Sequence, residues 1–151
     1  MSTLQNTILQ KKAALTAAVK SPLNTLAQSC VDVWPDADKL DQILQQALDK
    51  LPGSHRLYVW DLNGKQLSSL VSRSGINNRW RGRDLSDRPF LKNNLPFKGM
   101  MLSSVYSSIC TGDEKAQSTA QCVTALQAIS DDDELLGFVA ADFFLKELLQ
   151  D

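Results

Sequence analysis

Arg88, Phe90 and Asp142 are the residues of this 151-residue chain whose types and placing bear most directly on chemistry. Arg88 stands in the stretch GRDLSDRPFLKN, just ahead of Pro89 and Phe90, and three strand-like runs follow that close at Asp142. A guanidinium offers a carboxylate two parallel, charge-assisted hydrogen bonds from a planar fork, whereas lysine gives a point charge without that geometry. Asp142 interrupts the apolar run FVAADFF, and a carboxylate buried there must be paired or bound to something. One guanidinium, one aromatic ring and one late carboxylate, turned by a small sheet toward a common pocket, form a ligand-binding pattern. Each also has a purely structural reading. Arg88 can pair with Asp84 or Asp87 at a helix start, worth about 0.5 kcal/mol, and Asp142 can cap a C-terminal helix through backbone N–H groups.

Nothing comparable speaks for catalysis. His55 is the single histidine and follows a Pro-Gly-Ser turn, so it is expected at the surface. No second imidazole or thiolate stands at metal spacing, and no catalytic triad or phosphate loop is present, which predicts a protein without enzymatic activity, metal or cofactor. Cys30, Cys110 and Cys122 form no CxxC pair and read as buried thiols. Cys110 and Cys122 flank a predicted hairpin loop, so a disulfide between them stays open. The run Asp131 to Glu134 lacks the spaced oxygens and central glycine of a calcium loop and reads as a solvated turn. A formal net charge of -1 gives no footprint for nucleic acid. No apolar run reaches the roughly 18 residues that a membrane-spanning helix needs. Lys11 and Lys12, with no hydrophobic segment after them, do not form a signal peptide. These features predict a soluble, cytoplasmic chain, or a periplasmic one if it is an excised receptor domain.

The elements that must position the candidate residues follow from periodicity. Leu4, Ile8, Leu15, Ala18, Val19, Leu23 and Leu26 recur at helical spacing and predict an amphipathic helix from Leu4 to about Ser29, which Pro22 could kink or divide. Trp34-Pro35 breaks it, Asp36 can cap a second helix reaching Leu51, and Pro52-Gly53 stops that one. Strand spacing then begins with RLYVWDL, turns at Asn63-Gly64 and returns through KQLSSLVSR. Ser74 to Arg83 has neither period and reads as a loop crossing the sheet, with Arg79, Arg81 and Arg83 as a solvated basic face near the pocket mouth. A short helix through Phe90 to Asn94, strands at Met100 to Cys110, Ala120 to Ser130 and Glu134 to Asp142, and a final helix from Phe144 to Leu149 complete the chain. The prediction is an α+β fold: a long N-terminal helix or helix pair, residues 1–53, packed on a five-stranded antiparallel sheet, residues 54–151, as one structural unit. The crossing segment would leave a cavity beneath it, which Trp80 and Tyr106 could line if they are not plain core.

These residues resemble the Cache family of PAS-like sensor domains, in its single-module form, over roughly Leu57 to Leu149. The resemblance rests on VWDLNGK as the first hairpin, GRDLSDRPFLKN as the pocket helix, LSSVYSS as the third strand, and VTALQAI with LLGFVAADF as the closing pair. It implies a non-enzymatic sensor of bacterial signal transduction that binds a small organic acid or amino acid. In amino-acid-binding members an arginine and an aromatic of the pocket helix hold the carboxylate, which corresponds to Arg88 and Phe90. A tyrosine and an acidic residue of the third strand, with an aspartate at the end of the last, hold the ammonium; the matching positions are Tyr106, Ser108 and Asp142. Ser108 departs from the pattern, so the resemblance admits a carboxylic acid as readily as an amino acid. Phe90 lacks the N–H of a tryptophan. The alternative function is a dimerising interaction module with a vestigial pocket, paired through the apolar stripe of the first helix.

Overall fold

The computed structural model describes residues 3–51, 53–84, 99–102, 106–109 and 119–145, and at 4–5, 106–109 and 119–120 the backbone alone. The predicted pocket helix with Arg88 and Phe90, Cys110, and the predicted final helix beyond Leu145 lie outside the described residues. Helix α1 spans Thr3–Val33 as one element, longer than expected and undivided at Pro22. A proline inside a helix costs about 3 kcal/mol. Here Leu15, Val19, Leu23, Leu26 and Cys30 are all buried along one stripe, and each large apolar side chain so buried contributes about 1.5–3 kcal/mol, enough to hold the axis across the missing hydrogen bond. Helix α2, Ala37–Ala47, starts at Asp36, whose side chain accepts from the Lys39 N–H at 3.2 Å as the sequence leads one to expect. Its predicted last turn tightens into a 3-10 turn, Leu48–Lys50.

The sheet is antiparallel, with β1 (Ser54–Asp61), β2 (Leu70–Ser72), β3 (Gly75–Asn77), β4 (Met100–Leu102), β5 (Tyr106–Ile109), β6 (Thr119–Asp131) and β7 (Glu134–Phe144). Their order is β3-β2-β1-β7-β6-β4, and β5 also pairs with β6. Seven strands among the described residues replace the expected five, for two reasons. The predicted strand from Met100 to Cys110 is two short strands laid in succession along β6, and the start of the predicted crossing loop pairs with β2 as β3. Strand β7 also continues two residues past the predicted end at Asp142.

The first hairpin turns at Asn63-Gly64 as expected, with Gly64 at φ +83° and the Asp61 carboxylate accepting from the Asn63 and Lys65 N–H groups. Its return run is not the continuous strand predicted. The Leu67 and Ser68 N–H groups both reach the Val59 carbonyl, the Val59 N–H goes to the Ser68 hydroxyl at 2.9 Å, and the Ser69 N–H goes to Asp41 Oδ1 at 2.7 Å. Serine side chains compete with the ladder for backbone groups, and here they interrupt it.

Helices α1 and α2 cover one face of the sheet. There Leu23, Leu40 and Leu44 pack with Leu57, Val59, Val139, Ala141 and Phe143 in one core. The alternate residues Tyr58, Trp60, Phe138 and Ala140 form a second cluster on the face away from the helices. Gly137 lets β7 approach β1 closely. A Cβ there would lie 2.3 Å from the Trp60 carbonyl oxygen and 2.7 Å from the Trp34 ring, so this position admits no side chain.

Candidate functional site

Asp142 is fully buried on the face away from the helices, opposite Arg56 of β1 and Thr124 of β6. Its Oδ2 accepts from Arg56 Nε at 2.5 Å, and its Oδ1 accepts from Tyr58 Oη at 3.1 Å and Thr124 Oγ1 at 2.7 Å. Strand alternation sets this arrangement, since Arg56 and Tyr58 share the face of Trp60 while Leu57 and Val59 turn to the helices. A carboxylate without water needs a counter-charge and a partner for each oxygen, and β1 and β6 supply them. The expectation that a buried Asp142 is paired is met within the sheet. Arg56, Tyr58 and Thr124 are partners that sequence reasoning missed. The available signal was the period-two pattern of β1, which puts an arginine in register with two aromatic residues.

Beside this network a pocket of about 460 Å³ opens between the start of β1, the β2–β3 turn and the end of β7. Arg56, His55, Ser72, Asn77, Trp80 and Phe144 are among its lining residues. Trp80 therefore stands in a pocket wall, with the Arg83 guanidinium 4.0 Å over its ring. His55 is half-buried rather than a surface residue. Its ring stacks on Phe144 at 3.9 Å between centroids and 10° between planes, and its Nε2 is buried without a hydrogen-bond partner. Burial first, and the Arg56 guanidinium second, push its pKa down to about 4, while Asp142 pulls the other way. The imidazole is thus neutral at physiological pH.

The rim of the pocket is tied to α2. Arg81 donates to Asp41 Oδ2 at 2.5 Å, to Asp38 Oδ1 at 2.8 Å and through Nε to the Ser69 hydroxyl at 3.1 Å, while that hydroxyl donates to Asp41 Oδ2 at 2.6 Å. The expected solvated basic face holds for Arg79, which is exposed beside Asn77, whereas Arg81 reaches α2 and Arg83 covers Trp80. The hydrogen bond to Asp41 is the leading cause that raises the Arg81 pKa further.

Of the residues expected from the sequence, Asp142 is bonded to Arg56 and Trp80 shares its pocket. Tyr106 pairs with Cys122 and Ser108 with Ala120, which places β5 along the same strand that carries Thr124. Arg88 and Phe90 lie outside the described residues. Cys30 and Cys122 are buried, and burial pushes the Cys30 thiol up to about 12. Among the described residues no group of three or more His, Cys, Asp or Glu is placed to hold a metal ion. No described helix is long and apolar enough to cross a membrane.

No protein-family model matches the sequence, and no curated protein does. Solved structures match it well in shape. An extracellular ligand binding receptor from Desulfohalobium retbaense superposes with a TM-score of 0.71 at 13% identity, over 96% of this chain and 25% of that one. The sensory domain of the Campylobacter jejuni chemoreceptor Tlp3, with isoleucine bound, matches with a TM-score of 0.58 at 17% identity, over 97% of this chain and 61% of that one. The ligand-binding domain of the Pseudomonas fluorescens chemoreceptor CtaA, in complex with L-serine, matches with a TM-score of 0.58 at 17% identity, over 96% and 61%. The chain thus spans between a quarter and about three fifths of the structures it resembles. At this identity the likeness is one of fold.

Proposed function

We propose that this chain, which has the PAS-like fold of Cache-type sensory ligand-binding domains, is a non-enzymatic sensor module of bacterial signal transduction that binds a small carboxylate-bearing metabolite or an amino acid. The ligand would sit on the sheet face away from α1 and α2. The observation that carries this reading is the buried Arg56–Asp142 pair with a pocket opening beside it. A buried ion pair is weak as a device for stability, since desolvating two charges offsets most of their attraction. Its place at the edge of a pocket, on the face opposite the core, supports a role in shaping a binding surface. In this reading Arg88 and Phe90 hold the ligand carboxylate, Tyr106, Ser108 and Trp80 line its surroundings, and Asp142 sets the orientation of Arg56. Support from the comparisons is that the chemoreceptor domains of this fold are described with isoleucine and L-serine bound.

Of the two locations the sequence left open, the periplasmic one is the better supported, because a structure of this shape is described as an extracellular receptor. Screening a library of small metabolites by melting temperature tests the function. A ligand at 100 times its dissociation constant adds about 2.7 kcal/mol. A hit whose affinity is lost in Arg88→Ala, with circular dichroism unchanged, is the expected result. Unchanged affinity in that variant removes Arg88 from the site.

The interaction-module reading has one observation in its favour. No described side chain of α1 before Leu15 is buried, and Leu9 is 65% exposed, so the first turns of the helix run beyond the core. Homodimerisation through this end is compatible with a sensor and gives a dimer mass in light scattering; a monomer at tens of micromolar rules it out.

A further inference from the structure

The identity of the ligand is a question only within the sensor reading, and the choice made between its two open classes rests on that reading. Those classes are amino acids, and acids without an amino group. They differ by one ammonium, and an ammonium in a pocket needs a carboxylate or a set of aligned acceptors. Asp142 is the acid that the family resemblance would offer. Both its oxygens already accept hydrogen bonds, Oδ2 from Arg56 and Oδ1 from Tyr58 and Thr124. An ammonium arriving there would meet a carboxylate whose charge is already paired with a guanidinium and whose roughly four acceptor sites already take three hydrogen bonds. Ser108, at the other position where the resemblance looks for an acid, carries no charge.

The described wall of the pocket repeats the bias. It contains Arg56 and Arg73 and no aspartate or glutamate; their carboxylate partners, Asp142 and the 88% exposed Asp49 at 3.7 Å, are not lining residues. It also contains His55, whose Nε2 is buried with no hydrogen-bond partner while stacking on Phe144 fixes the plane of its ring. A buried polar nitrogen left without a partner is costly, and it points to a group that completes the site. A neutral imidazole carrying its proton on Nε2 donates one hydrogen bond, which suits an oxygen of the ligand. About 460 Å³ is room for a small molecule with an apolar part against Phe144 and Ile76.

We infer that this pocket selects a small organic acid that lacks an α-ammonium group, bound in the field of Arg56 and Arg73 with one of its oxygens accepting from His55 Nε2.

Matched pairs in which hydroxyl replaces ammonium on the same skeleton test this directly, for example L-lactate against L-alanine and L-2-hydroxyisocaproate against L-leucine, across skeletons of two to six carbons. Melting temperature and calorimetry on the intact chain at pH 7.5 give the comparison. The expected result is a hydroxy acid that binds at least 10-fold more tightly than its amino acid. His55→Phe keeps the ring stack and removes the nitrogen, and should weaken that acid at least 10-fold with the melting temperature of the free protein maintained. An amino acid that binds as tightly as its partner overturns the inference and leaves the sensor reading standing. Silence from both members of every pair overturns the inference and the small-carboxylate reading together. Unchanged affinity in His55→Phe overturns the assignment of the ligand to this pocket.

Discussion

Arg56 and Asp142 face each other across the two central strands β1 and β7, Nε to Oδ2, with the carboxylate fully buried. Removing one member of such a pair strands the other charge without water, at a cost of about 3–5 kcal/mol. Arg56→Ala should therefore lower the melting temperature by on the order of 10 °C, on the usual scaling for a domain of this size. Adding Asp142→Leu to the same chain should recover part of the loss, because the orphaned charge is then gone. Thermal and urea denaturation of the two variants check this, and a double variant less stable than Arg56→Ala contradicts it.

Gly137→Ala probes how closely β1, β7 and the loop between the helices approach. The added methyl would meet the Trp60 carbonyl and the Trp34 ring inside any allowed contact, and a backbone oxygen cannot swing aside as a flexible side chain can. Overpacking of this kind costs about 1–3 kcal/mol or more. A urea midpoint within error of the parent protein would contradict this close packing.

Asp38 and Asp41 both bind Arg81, yet they should differ sharply in energetic weight. Asp38 is 81% exposed in this pair, so its loss falls in the range of about 0–1 kcal/mol typical of surface ion pairs. Asp41 is buried and also accepts from the Ser69 N–H and hydroxyl, so Asp41→Ala leaves a buried backbone donor unsatisfied at about 1–3 kcal/mol beyond the ion pair. Equal destabilisation of Asp38→Ala and Asp41→Ala would show that Asp41 does not latch α2 to the pocket rim.

His55 makes stability depend on pH in a definite direction. Its folded pKa of about 4 lies below the ordinary 6.5, so the unfolded chain binds the proton first. Its contribution is fully present above about pH 6.5 and is lost as pH falls toward about 4, where it levels off. His55→Phe should flatten the melting temperature against pH across this window relative to the parent chain. Parallel profiles would mean that the imidazole is not desolvated.

Much of the fold was legible in the sequence because its signals are local. The apolar stripe of α1, the Asp36 cap and the Asn63-Gly64 turn each act over a few residues, and each falls where the pattern places it. The misses are tertiary. Pro22 stays inside one helix because burial along that stripe outweighs the local defect, and the return run after Gly64 breaks because Asp41, from a separate helix, takes the Ser69 N–H. The site was legible by half for the same reason. An aspartate in an apolar run announces that it needs a partner, but which partner depends on strand register, and Arg56 lies 86 residues away. His55 was misread because its exposure is set by Phe144, distant in sequence but at the end of the adjacent strand β7.

The central claim is that a small acid binds on the face of the sheet away from the helices. Hydrogen exchange of the intact chain, with and without the acid that most raises its melting temperature, tests this most directly. The account predicts added protection at the start of β1, the β2–β3 turn through Trp80 and the end of β7, with α1 and α2 unchanged in their exposed turns. Protection centred instead on the groove between α1 and α2, around Pro22, Leu26 and Ile43, would contradict it.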